Sequence, residues 1–345
     1  MYDLYDRILG CLVTAAMGDA VGAPSEAYSR EEILQKFGKR IDCFMEAGDN
    51  TYALGNRLGE VTDDGSQIYV FSQAVIKTKG NLTIQDAADA IVYWAEHYPR
   101  YYPRNAGPTT RFVVDELKAG KDPREVGLVG KVYNRGVSNG ATMRVAAAGL
   151  CHPGDLDGAI DTAVTMTAPT HGTQHAYAAA CAIACGIAEG ITEYSSVHSI
   201  LKACIYGAKR GEEIGMRDAR HASGARILPK ILQAVECALA SSSMEEAERM
   251  IEETVGNDGD CRIGTSAAIG LFTAAAGDPI ATILGGANIG GDTDTIACIA
   301  GTLAGAYSGF SALPKDWYET FKAANPDLDF EQIAAQLTEI VYARN

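Results

Sequence analysis

Helical periodicity, running almost unbroken from end to end, is the pattern that most limits what this chain can become. Leu4, Ile8, Cys11, Leu12, Ala15 and Ala16 mark one face of a first helix, which the spacing ends near Gly18. Ile68, Val70, Phe71, Ala74 and Val75 recur at helical spacing over 66–78, and Ile84, Ala87, Ala88, Ile91, Val92 and Trp94 over 84–96. The same period marks 109–118, 141–149, 157–167, 174–190, 195–209, 226–241, 244–255, 264–276, 278–285, 294–308, 315–323 and 330–343. The apolar–polar alternation of strands is scarce. Turn residues punctuate the segments, as at Asn105-Ala106-Gly107-Pro108 and His152-Pro153-Gly154-Asp155. The segments share no period, which argues against a solenoid, and no stretch reads as a linker or as low complexity. The expectation is all-α: a single domain spanning 1–345, a compact orthogonal multi-helix bundle whose many Ala and Gly residues let helix axes approach closely.

Composition narrows the function. Hydrophobic residues make up 47%, enough for a sizeable core. Acidic residues number 44 against 29 basic, a formal charge of -15. That balance argues against a nucleic-acid backbone or an anionic membrane surface as partner. Met1-Tyr2-Asp3-Leu4-Tyr5-Asp6 lacks the basic start of a secretory signal. No stretch reaches the roughly 18 consecutive apolar residues of a membrane span. The nine cysteines are odd in number and scattered, as expected of buried thiols in a reducing, cytoplasmic setting.

Two short acidic segments stand out. Thr62-Asp63-Asp64 and Gly290-Gly291-Asp292-Thr293-Asp294-Thr295 each place two carboxylates and at least one hydroxyl directly before an apolar helical pattern. Each alone also reads as an ordinary helix N-terminus, where Thr or Asp caps and acids favour the dipole. The pair, with its Gly-Gly approach, exceeds what capping requires. Oxygen-only ligands suit hard cations such as Mg²⁺, Mn²⁺ or Ca²⁺ rather than zinc. Four carboxylates gathered at one spot repel, and two divalent ions balance them. An EF-hand does not fit, because Leu303 occupies the twelfth position where an acid is needed. His171 and His175 have zinc-protease spacing, but Gly172 stands where that motif needs Glu. Asp19 reads as a turn or cap residue in preference to a support for the acids. Arg144, on an expected helix, reads as paired internally with an acid in preference to contacting a phosphate.

Several segments together resemble the ADP-ribosylglycohydrolase family, which includes the dinitrogenase reductase-activating glycohydrolases. They are Gly10-Cys11-Leu12-Val13-Thr14-Ala15-Ala16-Met17-Gly18-Asp19-Ala20-Val21-Gly22-Ala23-Pro24-Ser25-Glu26, Thr62-Asp63-Asp64, Ser138-Asn139-Gly140-Ala141-Thr142-Met143-Arg144, Thr170-His171, and Asn288-Ile289-Gly290-Gly291-Asp292-Thr293-Asp294-Thr295-Ile296. The last is highly specific. The resemblance runs from near residue 6 to near residue 308. It implies an all-helical fold with two bound Mg²⁺ or Mn²⁺ ions. It makes Thr62, Asp63, Asp64, Asp292, Asp294 and Thr295 the expected metal ligands. Glu26 matches the family's acid near the scissile bond, and Ser138, Asn139, Gly140 and His171 match positions lining the ribose and phosphate pocket. Gly65 departs from the family pattern, which usually has Thr after the two acids.

The resemblance therefore implies a metal-dependent glycosidase removing ADP-ribose from a protein side chain or small acceptor. Either Glu26 or a ligating Asp292 or Asp294 would serve as the acid–base group. Two other functions remain in view. One is an N-ribosyl hydrolase acting on a nucleoside-like molecule. The other is a non-catalytic, crystallin-like or binding member of the family.

Overall fold

The computed structural model describes residues 2–50, 52–130 and 135–344. The helices are Leu4–Gly22 (α1), Arg30–Phe37 (α2), Asp63–Lys77 (α3), Ile84–His97 (α4), Pro108–Lys118 (α5), Pro123–Leu128 (α6), Ala146–Leu150 (α7), Leu156–Thr167 (α8), Gln174–Gly190 (α9), Val197–Asp218 (α10), Ile227–Ala240 (α11), Met244–Thr254 (α12), Cys261–Ala274 (α13), Pro279–Asn288 (α14), Thr293–Ser308 (α15), Lys315–Ala324 (α16) and Phe330–Arg344 (α17). Among the described residues there is no strand, only two isolated bridges, Ser138 to Asp260 and Thr173 to Arg220. The all-α expectation holds.

Three helices, α1, α9 and α15, are buried along nearly their whole length. A helix apolar on every side belongs in a core or a bilayer. The stretch Leu4–Ser25 has the length and mean hydropathy of a span, but its most apolar 18-residue window is 100% buried inside the protein. It is a core helix, packed most extensively along α15 and also against α14, α17 and α3.

The α1–α15 crossing explains one boundary error. Gly18 reads in the sequence as a stop, yet α1 continues to Gly22. A Cβ on Gly18 would lie 2.4 Å from the Ala297 carbonyl oxygen, and one on Gly22 2.4 Å from that of Thr293. The glycines are there to let α15 approach. For the same reason α10 runs past 209 to Asp218, with Gly215 set against Gln174 of α9. The expected helix over 141–149 is instead a short 3₁₀ turn, Asn139–Ala141, followed by α7, so Arg144 sits between the two rather than on a helix. The short helices α2 and α6 carry too few turns to show a periodic signal; α2 starts at a Ser29/Glu32 capping box.

Candidate active site

The two acidic segments begin α3 and α15, and the fold brings their N-termini together. In the second, Gly290 and Gly291 adopt φ of 80° and 69°, a left-handed turn that side chains disfavour. The turn zips onto the chain after α1: Ala27 N–H donates to the Gly291 carbonyl (2.7 Å), and Gly291 N–H to that of Tyr28 (2.9 Å). Glu26 is thereby set beside Asp292. Thr293 turns inward, its hydroxyl donating to the Gly22 carbonyl at 2.9 Å, which leaves Asp292 and Asp294 facing the same cleft.

The first segment is held from outside its own helix. Thr62 occupies the N-cap of α3 but makes no side-chain capping bond there. Asp19 of α1 does the work instead. Its Oδ2 accepts the N–H groups of Thr62 and Gly65, each at 2.8 Å, and its Oδ1 accepts the Thr62 hydroxyl at 2.8 Å. Asp19 is fully buried inside a helix and supports the ligand cluster, so the turn reading is corrected. This grip also accounts for Gly65: a Cβ there would meet Val61 Cγ1 at 2.7 Å and Asp19 Oδ2 at 3.0 Å.

Two carboxylate triads result, Asp19–Asp64–Asp294 and Glu26–Asp292–Asp294, each with ligand atoms within 4.8 Å of one another. Asp294 belongs to both. Asp63 lines the same cleft but belongs to neither; its Oδ2 accepts from Gln67 at 3.2 Å. Thr295 also faces the cleft. The electrostatics are those of acids crowded out of water. Burial, then the neighbouring carboxylates, pushes Glu26 up to about 11. Burial, then Asp294, raises Asp292 to about 7, and burial, then Asp19, raises Asp294 to about 6. Burial raises Asp19 to about 6 and holds Asp63 and Asp64 well above the usual carboxylate range.

The residues fit a hard divalent cation on two counts. Asp64 Oδ1 is buried with no hydrogen-bond partner, a costly state that a cation relieves. The donors are all oxygen. No histidine joins either cluster among the described residues.

The triads floor a cleft of about 410 Å³. One wall is the Ser138–Gly140 turn, anchored by Asn139 N–H to the Gly259 carbonyl (2.9 Å) and by the Asn139 amide donating to Asp292. The lining also includes the N-terminus of α5, with Thr109 and Thr110, and Tyr52 and Arg135, the latter stacked 3.8 Å over the Phe112 ring of α5. His171 departs from expectation. It is fully buried and does not line the cleft. It stands behind the turn, its Nε2 2.9 Å from the Ser138 hydroxyl, and burial lowers it to about 3, so the imidazole is neutral. Arg144 is buried too, but it bonds Gln67 and Thr170 rather than an acid. Sequence reasoning missed Tyr52, Thr109, Thr110 and Arg135. The only hint was the Asn105–Pro108 punctuation, which proves to be the entry to α5.

Comparison with known proteins places the chain in a family. The whole chain, residues 1–345, matches the family described as ADP-ribosylglycohydrolase. The chain belongs to the ADP-ribosylglycohydrolase family. Family relatives include the uncharacterized protein YegU of Escherichia coli, 30% identical over 338 residues covering 97% of each chain. The ADP-ribosyl-[dinitrogen reductase] glycohydrolase of Rhodospirillum rubrum is 30% identical over 158 residues, 45% of this chain and 48% of that one. Human ADP-ribosylhydrolase ARH3 is 24% identical over 344 residues, 91% of this chain and 88% of that one. A solved structure of an ADP-ribosylglycohydrolase-related protein complex superposes with a TM-score of 0.67 at 22% identity, covering 98% of this chain and 99% of that one, and has the same fold. The sequence resemblance to ADP-ribosylglycohydrolases is thus borne out.

Proposed function

We propose that the protein is a glycosidase that hydrolyses the N- or O-glycosidic bond between ADP-ribose and a protein side chain or small acceptor, with two Mg²⁺ or Mn²⁺ ions in the cleft. The observation that carries this reading is the pair of carboxylate triads sharing Asp294. Asp19, Asp64 and Asp294 would hold one ion and Asp292 and Asp294 the other, with Thr62, Asp63 and Thr295 at hand to complete the shells and Glu26 beside the second as a proton carrier. Such a pair lowers the pKa of bound water and orients substrate hydroxyls.

The chain's own groups supply the rest. Glu26 shares a hydrogen bond with Asp294 and holds its proton tightly, which suits it to donate to a ribose hydroxyl. Asp292, held at the cleft by the Asn139 amide, would act as the base. The Ser138–Gly140 turn positions the sugar. The positive end of α5, the Thr109 and Thr110 hydroxyls and Arg135 suit a diphosphate. The reduced thiols and acidic surface agree with a cytoplasmic enzyme that uses neither nucleic acid nor membrane.

One observation favours a second reading. Among the described residues Arg135 is the only basic one lining the cleft, against Glu26, Asp63, Asp64, Asp292 and Asp294. An N-ribosyl substrate without phosphate, such as a nucleoside, would suit that imbalance. A hydrolysis screen over ADP-ribosyl-arginine, ADP-ribosyl-serine and plain nucleosides, with Mn²⁺ or EDTA, separates the two. The expected result is metal-dependent release of ADP-ribose, abolished in Asp292→Ala and weakened with metal retained in Glu26→Gln. Turnover of nucleosides alone would replace the first reading by the second.

A further inference from the structure

Arg144 is large, charged and 1% exposed, and none of the roles above uses it. Among the described residues it has no carboxylate at ion-pair distance. Its guanidinium lies 4.8 Å over the Phe71 ring. It forks instead between two neutral acceptors: Nη1 donates to Gln67 Oε1 at 2.8 Å and Nη2 to Thr170 Oγ1 at 2.6 Å.

Each acceptor leads to a different wall of the cleft. Gln67 uses its amide nitrogen to donate to Asp63 Oδ2 at 3.2 Å. Thr170 Oγ1 lies 2.8 Å from His171 Nδ1, and His171 Nε2 lies 2.9 Å from Ser138 Oγ. Gly140 packs on the same imidazole, its Cβ direction 3.4 Å from His171 Cε1. Asp63, Gln67, Arg144, Thr170, His171 and Ser138 therefore form one buried chain of hydrogen bonds, with Arg144 at its only branch between α3 and the substrate turn. Arg144 Nε is buried with no hydrogen-bond partner among the described residues, so Nη1 and Nη2 alone join the two branches.

We propose that Arg144 is a positioning residue that couples the cation site to the substrate turn, holding Asp63 through Gln67 and Ser138 through Thr170 and His171. The two acceptors need a planar fork with two separate donors. A lysine nitrogen in the same place carries charge but cannot span both. Thr170 Oγ1 is closer to His171 than to the Thr167 carbonyl, 2.8 Å against 3.3 Å. Thr170 Oγ1 is thus the joint where Arg144 Nη2, His171 Nδ1 and the Thr167 carbonyl meet. Binding at either end then favours the same arrangement, and such coupling is reciprocal. The inference rests on the metal-dependent reading of the cleft.

Calorimetry on the full chain tests it, with MnCl₂ alone, with ADP-ribose in EDTA, and with ADP-ribose in saturating MnCl₂. Gln67→Met should weaken Mn²⁺ binding about tenfold and leave ADP-ribose binding in EDTA unchanged, since one net hydrogen bond is worth about a factor of ten. Thr170→Val should do the converse. Arg144→Lys should weaken both, and the factor by which Mn²⁺ tightens ADP-ribose should fall toward one. Circular dichroism establishes folding; if Arg144→Lys does not fold, loss of the coupling factor in both remaining variants supports the proposal, and its survival in both overturns it. Mn²⁺ uptake with unchanged affinities and coupling in the folded variants sinks the role of Arg144 alone. Wild-type protein that takes up no Mn²⁺ sinks the reading of the cleft as well.

Discussion

Asp19 offers the sharpest perturbation, because it caps one helix from another. Its Oδ2 serves two backbone donors, Thr62 N–H and Gly65 N–H, and its Oδ1 serves one hydroxyl. Asp19→Asn keeps an oxygen for both N–H groups and sets an amide against the Thr62 hydroxyl, which can turn to accept. Asp19→Ala removes the acceptor and strands both N–H groups in a fully buried site. Both substitutions delete the same buried charge, so their difference isolates the hydrogen bonds. At about 1–3 kcal/mol for each unmet donor, the Ala variant should be about 4 kcal/mol less stable than the Asn variant. Urea unfolding in EDTA measures the difference. The Asn variant should remain folded but bind Mn²⁺ at least about tenfold more weakly, having lost one anionic group from a triad. Equal unfolding midpoints for the two variants would refute the claim that Asp19 caps α3.

Other outcomes follow from the same geometry. Asp19, Asp294 and Asp292 are raised by burial to about 6, 6 and 7, so the metal-free folded chain keeps protons that the unfolded chain has released. Stability present near pH 4 should fall as pH rises through 6 to 7, and saturating Mn²⁺ should remove that fall; urea midpoints in EDTA that stay level from pH 5 to 8 would contradict it. Asp294→Asn strikes both triads at once, so calorimetry should show both Mn²⁺ sites lost and turnover down by at least about a thousandfold, with a single surviving tight site as the contrary result. Gly22→Ala forces a Cβ to within 2.4 Å of the Thr293 carbonyl oxygen and should cost about 3 kcal/mol by urea denaturation, with no loss counting against the tight α1–α15 crossing. Of the nine free cysteines only Cys43 is not buried, so a thiol reagent should label one site rapidly in the native protein and the rest only on unfolding.

Much of this was legible before any coordinates. The periodicity announced helices because each buries an apolar stripe; that α1, α9 and α15 are buried on every side appeared only in the structure. The acidic pairs were legible because four carboxylates beside hydroxyls have few other uses. The glycines were harder. Gly18 looks like a helix end in one dimension and is a contact point in three. The same limit hid part of the cleft lining, since nothing local marks Thr109, Thr110 or Arg135 as sharing a cleft with residues nearly 200 positions away.

By itself the sequence determined the class of fold and the family motifs, because these depend on residue types at short spacing. Only the tertiary structure decided that Asp294 belongs to both triads, that Asp19 rather than Thr62 caps α3, that His171 backs the substrate turn instead of lining the cleft, and that Arg144 links Gln67 to Thr170. Those relations join residues tens to hundreds of positions apart, and they exist only once close helix packing has excluded water from the space between them.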